Sequence, residues 1–482
     1  MTIFRYGGFK DLVMNDADKR NEPIVYTENV IIGEESSRLS SILFLVLCIV
    51  PMFATVLFGG VDNMTWVIIS VFWASIVLLW LAETWKGRGF LFSPSALQIP
   101  VIGLITIGLV QLLPLGGAVG AEALSGQEPS QALSFEPFAT RFFVIRLAVY
   151  LVFFAACLAF INNERRLKKA VLMIVVFGAA MAFFGVLQRL ANPEGIYGFR
   201  ETPQAKPFGP FVNQHHFAAF MQLTGGLTIS LLFGKAVSRE RQIMLTTALV
   251  IMGVAVVLTS SRGGILGFVA VFLFVILVNF LSGRWGNKGR GRTNQSNVQR
   301  NVGIALAGIA IVVMILGVVL FVGGDDSLLR GIGVANSNVD LSSGRLHFWP
   351  IAIAIFLEHP ILGVGFDAFG VAFTQHDSWS GALSVQQAHN EYLQTLADSG
   401  LAGFLCIAGF IFLLFRKGLQ TIENATGFRR EAAVGALAGC FGILIHSFFD
   451  FPLRTPSNAF FFLLLCAVAT VPIKSGRFAN EP

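Results

Sequence analysis

The sequence predicts an all-α integral membrane protein with about twelve transmembrane helices. Three observations support this fold class: 55% of the 482 residues are hydrophobic, only 13% are charged, and the mean hydropathy is +0.71. Globular chains carry about 25% charged residues, so a soluble protein of this composition would precipitate. The apolar residues also form runs of roughly the 20 residues that a helix needs to cross a hydrocarbon core. The composition therefore predicts a membrane protein.

Twelve apolar runs are separated by polar breaks or breaks rich in glycine and proline. We place the predicted spans at 41–59, 64–82, 97–115, 142–161, 170–188, 215–233, 243–260, 263–281, 302–322, 400–415, 433–449 and 459–473. Between the seventh and eighth spans, one arginine flanked by small residues at 260–264 predicts a tight hairpin. The domains that follow from this placement are a tail at 1–40, nine spans within 41–322, a large loop at 323–399, three spans within 400–473 and a tail at 474–482.

The distribution of lysine and arginine predicts the orientation of the chain. An even number of spans puts both termini on one side, and that side carries 25 of the 34 basic residues. The opposite loops carry 8, and Arg146 lies within a span. Because cytoplasmic loops are enriched in Lys and Arg, we predict that both termini are cytoplasmic and that the 323–399 loop faces outward.

The composition also excludes several kinds of site. All five cysteines lie in apolar runs, without the spacing of a disulfide framework or a zinc site. The outer loops contain no HExxH motif and no cluster of carboxylates, and the one Asp-x-Asp motif, at 16–18, lies in the N-terminal tail. The charged residues are too few for a nucleic-acid surface. We therefore expect no metal, no cofactor and no nucleic-acid partner.

Histidines are confined to one side of the predicted topology. All seven fall in outer loops or at the outer ends of spans: His215, His216, His347, His359, His376, His389 and His446. Histidine is well suited to proton transfer near neutral pH. For any single histidine, a chance position in an aromatic-rich loop is the simpler explanation.

A short helix is predicted at 385–398 in the large loop. Residues 384–387 match a capping box, and Gly400 follows as a helix terminator. The apolar face of this helix would hold His389, Tyr392, Leu393 and Leu396. The alternative to a functional His389 is a core histidine bonded to a carbonyl. A second helix is predicted after the polar residues at 343–345, lying at the membrane interface.

The basic residues on the outer side are nearly all arginines. A guanidinium offers paired donors to phosphate or pyrophosphate and keeps its proton. Arg262 lies between two spans, where a charge in hydrocarbon would cost about 2.5 kcal/mol or more. It should therefore face a cavity or snorkel to the interface, and Arg146 has the same two interpretations.

Several of these motifs occur together in one known superfamily. His389-Asn390 is followed after nine residues by Gly400-Leu401-Ala402-Gly403, and is preceded by Gly363-Val364-Gly365 and Phe369. With Ser261-Arg262-Gly263-Gly264 and Gly344-Arg345, this pattern resembles the signature of the O-antigen ligase and Wzy-type polysaccharide polymerase superfamily. The resemblance covers mainly residues 205–460. Two further motifs, at 213–217 and 450–456, resemble a branch of the family, but no chemical step could be assigned to them.

The resemblance implies a GT-C-like, metal-independent, inverting glycosyltransferase in the bacterial inner membrane. Its donor would be a glycan on undecaprenyl pyrophosphate at the periplasmic face. On this interpretation Arg262 and Arg345 bind the pyrophosphate, and His389 activates or orients the acceptor hydroxyl. The further candidates for substrate binding are Arg146, Arg454, His215, His216, Asn213 and Asn390.

The acceptor is less well defined by the sequence. We favour a polymerase of a surface polysaccharide, because the outer loops carry few cations for a phosphorylated lipid A core. A ligase acting on lipid A core is the alternative, whereas a protein acceptor is disfavoured because the chain ends nine residues after the last predicted span. Chain-length regulator and flippase proteins are possible partners. From another class, a twelve-helix secondary transporter competes, although no internal repeat is visible.

Overall fold

The computed structural model describes residues 37–88, 90–115, 131–192, 195–203, 205–234, 237–285, 344–378 and 384–473. These residues are mostly helical. The helices are α1 (Arg38–Val56), α2 (Asn63–Glu83), α3 (Gln98–Gln111), α4 (Pro137–Phe160), α5 (Glu164–Ala191), α6 (Gln214–Phe233), α7 (Arg239–Leu258), α8 (Arg262–Trp285), α9 (Arg345–Glu358), α10 (Phe369–His376), α11 (Glu391–Asn424), α12 (Gly427–His446) and α13 (Pro456–Thr470). Between α5 and α6, β1 (Gly195–Ile196) pairs antiparallel with β2 (Arg200–Glu201).

Eleven of the twelve predicted spans coincide with a helix, and the ninth, at 302–322, lies outside the described residues. Within the described ranges, eight helices are long and apolar enough to cross a membrane: α1, α2, α4, α5, α6, α7, α8 and α11. Helices α3 and α13 are apolar but shorter. The chain is therefore a multi-pass helical membrane protein, as the composition predicted.

The packing is tightest between α6 and α12. A Cβ atom added to Gly226 would lie 2.5 Å from the carbonyl oxygen of Gly435 and 2.6 Å from the amide nitrogen of Gly439. Small residues that let two backbones touch are typical of helix contacts in membranes. The two helices run antiparallel, since Ser230 bonds to Glu431 and Gln222 lies 3.2 Å from His446, so residues 215, 216 and 446 lie at one end of this helix pair.

The predicted hairpin at 260–264 is present. Helix α7 ends at Leu258 and α8 begins at Arg262, with Ser260 in the left-handed region at φ 52°. The Ser261 hydroxyl accepts a hydrogen bond from the Gly264 amide at 3.0 Å, which satisfies one of the free N–H groups of the first turn of α8.

The predicted helix at 385–398 begins later than expected, so its start was wrong. Helix α11 begins at Glu391, because the Asn390 side chain accepts hydrogen bonds from the amides of Tyr392 and Leu393 and caps it. His389 therefore precedes the helix, with φ 51°, and does not lie on its apolar face. Gly400 does interrupt the helix as expected, with φ 60° and ψ −163°, but a second helical stretch continues from there to Asn424.

Candidate functional site

The imidazole of His389 is paired with a buried carboxylate. Its Nδ1 lies 3.2 Å from Oδ1 of Asp450, whose side chain is 2% exposed, whereas the side chain of His389 is 33% exposed. The imidazole ring packs near-parallel to Phe348 and at 5.0 Å from Phe451. These contacts fix the position of the ring while one side of it remains accessible.

The electrostatics of Asp450 determine how this pair is protonated. Burial alone would raise the pKa of Asp450, but the hydrogen bond from His389 and the nearby imidazoles of His215 and His216 hold that pKa well below its usual range. Asp450 is therefore a carboxylate, and Nδ1 of His389 donates to it. In the neutral imidazole the other nitrogen, Nε2, is then an acceptor. This arrangement prepares His389 to take up a proton.

The same pKa shift predicts a dependence of stability on pH. Because folding lowers the pKa of Asp450, its contribution to stability is complete above the ordinary aspartate value of about 3.9 and declines as the pH falls below it. Asp450→Asn should remove this contribution. Thermal unfolding of both proteins in detergent between about pH 3 and pH 7 would test this. The difference in unfolding temperature should shrink as the pH falls, and a constant difference would contradict the prediction.

Three other histidines surround Asp450. His215 Nδ1 lies 2.8 Å from the Ser261 hydroxyl, and His216 Nδ1 lies 2.7 Å from the Thr455 hydroxyl. His446 lies at the end of α12, with Nδ1 3.2 Å from the side-chain nitrogen of Gln222. Their hydrogen bonds connect the adjacent ends of α6, α8, α12 and α13 around one carboxylate.

The two arginines that the sequence predicted to act with His389 lie around the same segment. Arg345 donates from Nε and Nη2 to the carbonyl oxygen of Phe449, at 3.1 and 2.7 Å. Arg262 starts α8, and a Cβ atom on the next residue, Gly263, would lie 3.1 Å from Cβ of Phe449. Arg262, Arg345 and His389 are all close enough to His215 to interact with it electrostatically. The structure therefore brings the three predicted residues together.

A cleft of about 940 Å³ opens beside this cluster. His215 and His389 line it, and most of its other residues belong to the 189–214 segment. Among the described residues that form its wall, neither Arg262 nor Arg345 appears. The two arginines therefore lie near His215, which lines the cleft, but they are not themselves part of the described wall. The cleft is open and has a mixed polar and apolar lining, which suits a hydrated ligand.

A second cavity, of about 370 Å³ and mostly apolar, lies on the opposite side of His215 and His216 from the cleft. His216 and Gln387 line this cavity. His215 and His389, which are one and two residues away from them in the sequence, line the cleft. Arg146 also lines it, with its guanidinium 5.2 Å from the ring centroid of Trp66 and its buried Nε without a hydrogen-bond partner. An arginine in a span with such a buried donor is a candidate for binding a lipid head group.

Arg454 is held by three carboxylates. Its Nη1 lies 2.9 Å from Asp367, its Nη2 lies 2.6 Å from Asp398, and its Nε lies 3.3 Å from Glu391. Burial lowers the pKa of Arg454, but the three carboxylates outweigh this effect and raise it above its usual value. With all its donor groups directed at acids, Arg454 is better placed to join the 323–399 loop to α11 than to bind a pyrophosphate.

The two asparagines among the predicted site residues cap helices. Asn390 caps α11, and the Asn213 side chain accepts from the His215 amide at 2.8 Å at the start of α6. Asn213 also lines the cleft, whereas Asn390 is buried. Asn390 therefore places His389 just before α11, and Asn213 places His215 in the first turn of α6; both histidines line the cleft.

Asp450 is the site residue whose role sequence reasoning missed. The motif at 450–456 resembles a branch of the family without indicating a chemical step. The available signal was an acidic residue at the outer end of a span, following His446 and two phenylalanines. Such a carboxylate needs a partner, and histidines are the titratable residues concentrated on that side.

The family comparison agrees with this geometry. Residues 247–408 match the family model described as O-antigen ligase, and this stretch contains Arg262, Arg345 and His389. The resemblance to the O-antigen ligase and polymerase superfamily is confirmed. This stretch is therefore similar to O-antigen ligase, and the chain is a multi-pass helical membrane protein. The family match covers about a third of the chain and leaves out Asp450 and most of the cleft. No curated protein matches the chain.

Proposed function

We propose that the protein transfers a glycan from undecaprenyl pyrophosphate to a sugar hydroxyl at the periplasmic face, and so polymerises the repeat units of a surface polysaccharide. The observation that carries the proposal is the His389–Asp450 pair, 3.2 Å apart, in which His389 also lines an open cleft. Arg345 lies beside this pair, because it is hydrogen-bonded to the carbonyl of Phe449, the residue before Asp450. The active site would open to the periplasm, both termini would be cytoplasmic, and the fold would be of the GT-C type with twelve spans.

The proposed reaction is a single displacement. The acceptor oxygen attacks the anomeric carbon, the bond from that carbon to the pyrophosphate oxygen breaks, and the acceptor proton passes to Nε2 of His389. One displacement inverts the anomeric configuration. Asp450 holds the ring through Nδ1 and stabilises the imidazolium that forms, because its own pKa keeps it ionised.

Arg262 and Arg345 would stabilise the departing pyrophosphate. Negative charge develops on the leaving oxygen, and guanidinium donors fixed near that position stabilise it more than water does. Arg345 is oriented by the Phe449 carbonyl, and Arg262 by its position at the start of α8. The cluster supplies positive charge from arginine, so we propose a mechanism that needs neither a metal nor a cofactor.

Arg146 is the remaining candidate for the donor lipid. The apolar cavity it lines is near the cleft, because adjacent residues of the His215–His216 pair face the two spaces. We propose that the lipid of the donor approaches from this side, with Arg146 near its head group. Asn213 and His215 would bind the glycan in the cleft. His216 is hydrogen-bonded to Thr455 and would stabilise the wall between the cleft and the apolar cavity.

Lipid A core is the second candidate acceptor, because the cleft carries positive charge. Arg189 and Lys206 line the cleft, and Glu201 is the one acid among the described residues of its wall. Arg200 also lines it but is paired with Asp62. Arg189 and Lys206 have no ion-pair partner among the residues that the structure describes, and such cations suit a phosphorylated core. This weakens the argument that the outer loops are poor in positive charge.

Incubation of the purified protein with a lipid-linked repeat unit alone would test the proposal. A ladder of products, absent with the His389→Ala variant, is the expected result for a polymerase. Product that appears only when lipid A core is added would assign a ligase. Coupled uptake of a labelled sugar into vesicles, without a glycan product, would replace the proposal with a transporter.

A further inference from the structure

The cleft contains an exposed aromatic side chain that the proposed reaction does not use. Phe199 lines the cleft and is 74% exposed. Many exposed apolar side chains of this protein lie on the spans, where they face lipid. Phe199 instead is the last residue of the turn of the β1–β2 hairpin, in a cleft that also presents polar groups. An exposed aromatic ring in a cleft that also presents polar groups is suited to contact with a ligand.

The hairpin that presents Phe199 is fixed at several points. The Tyr197 hydroxyl donates to the carbonyl oxygen of Val56 at 2.6 Å, at the end of α1. Arg200 holds the Asp62 carboxylate through both Nη atoms, and its guanidinium lies 4.1 Å from the centroid of the Phe58 ring. The hairpin is therefore anchored to the corner between α1 and α2.

The backbone of the turn adopts a conformation that is costly for its sequence. Tyr197 has φ 54° and Gly198 has φ 79°. A positive φ is ordinary for glycine but unfavourable for a bulky residue such as tyrosine. Such a conformation persists where the surroundings determine it, and it is concentrated at functional sites. Here the anchors of the hairpin hold Tyr197 in place, and Phe199 is presented in a fixed position.

The surroundings of Phe199 provide both parts of a carbohydrate site. One side of the ring is supported by Tyr197, whose near-parallel ring lies at 6.0 Å. The side chains of Asn192, Asn213 and Gln214 line the same cleft. A pyranose has a flat face of C–H bonds that packs on an aromatic ring, and hydroxyls at its edge that bond to amides.

We propose that Phe199 is a stacking platform for a pyranose ring of the glycan, in a subsite of the cleft that also contains His389. This inference rests on the proposed function for the identity of the ligand and extends it to a residue that selects the glycan. Phe199 takes no part in bond breaking. Its contribution is the same in the ground state and in the transition state, so it affects the binding of the glycan and leaves the chemical step unchanged.

Steady-state kinetics with a lipid-linked repeat would test the subsite. Phe199→Ala should raise KM roughly tenfold, as expected for the loss of about 1.4 kcal/mol of binding, with kcat little changed. Phe199→Tyr keeps the ring and should restore the KM. The matched control is Phe138→Ala, because Phe138 is 68% exposed and is not among the residues lining either cavity. An unchanged KM for Phe199→Ala, or an equal rise for Phe138→Ala, would overturn the proposal.

A binding measurement separates this inference from the proposed function. Phe199→Trp places a fluorophore in the subsite, and the probe is the oligosaccharide mixture released by mild acid from the surface polysaccharide of the producing cells. A saturable change in emission is expected for Phe199→Trp, and none for Phe138→Trp or for the parent protein. If the parent forms no glycan product, this response alone upholds the subsite while the proposed reaction fails. If the parent is active and the response is absent, the subsite is wrong.

Discussion

Replacement of His389 by alanine should lower the rate of glycan transfer by about 10²–10⁴-fold, the usual contribution of a positioned general base. The variant keeps Asp450 and both arginines, so it removes the proton acceptor and leaves the proposed pyrophosphate site in place. The loss should appear in kcat rather than in KM, because the proton moves only as the new bond forms. Quenched time courses of product formation would measure it.

The control for this variant is His359→Ala. His359 ends α9 and packs edge-on against Phe135 at 5.2 Å, and it lines neither the cleft nor the apolar cavity. It should transfer glycan at the parent rate. His389 is partly exposed and lies outside the helices and strands. Its replacement should therefore not prevent insertion of the protein into the membrane. Parent-level activity of His389→Ala at a normal membrane level would remove the proposed base.

Arg262→Lys should also lower the rate, by about 10²-fold or more, although the charge is retained. A lysine offers one compact ammonium in place of the planar fork that pairs with two pyrophosphate oxygens. Arg262 is preferred to Arg345 for this test, because Arg345 holds the Phe449 carbonyl and its replacement would also disturb the neighbouring Asp450. The measurement is kcat/KM for the lipid-linked donor.

Arg239→Lys is the matched control for the replacement of the planar guanidinium of Arg262. Arg239 is exposed and starts α7, on the loop predicted to be cytoplasmic, so its substitution should leave transfer unchanged. If Arg262→Lys were as active as the parent, bidentate recognition of pyrophosphate by Arg262 would be ruled out. A pair of inactive variants would indicate a general effect of the substitution on folding instead.

The spans could be predicted from sequence because hydropathy over 20 residues is a local property. The same holds for the hairpin before α8, where one charge and four small residues interrupt an apolar run. The start of α11 could not be predicted as well. The capping box at 384–387 and Asn390 are both able to cap the start of this helix. The contacts of residues 385–389 with the rest of the protein keep them out of the helix, so Asn390 is the cap.

The pairing within the site was harder to predict because it joins distant parts of the chain. Asp450 pairs with His389, 61 residues earlier in the sequence. Arg454 binds acids from the 323–399 loop and from α11, so a residue that seemed suited to phosphate is already neutralised. Residue type and side of the membrane could be inferred from the pattern, whereas the choice between ligand binding and internal pairing depended on the tertiary structure.

The glycine contact between α6 and α12 bears on how the enzyme tolerates different membranes. Because these backbones touch at Gly226, Gly435 and Gly439, the two helices can tilt only as one body. A thinner or thicker bilayer would then rotate His216 and His446 together and leave the spacing between them unchanged. We therefore expect the arrangement around Asp450 to change little with lipid composition, and the helices that face lipid to absorb the mismatch.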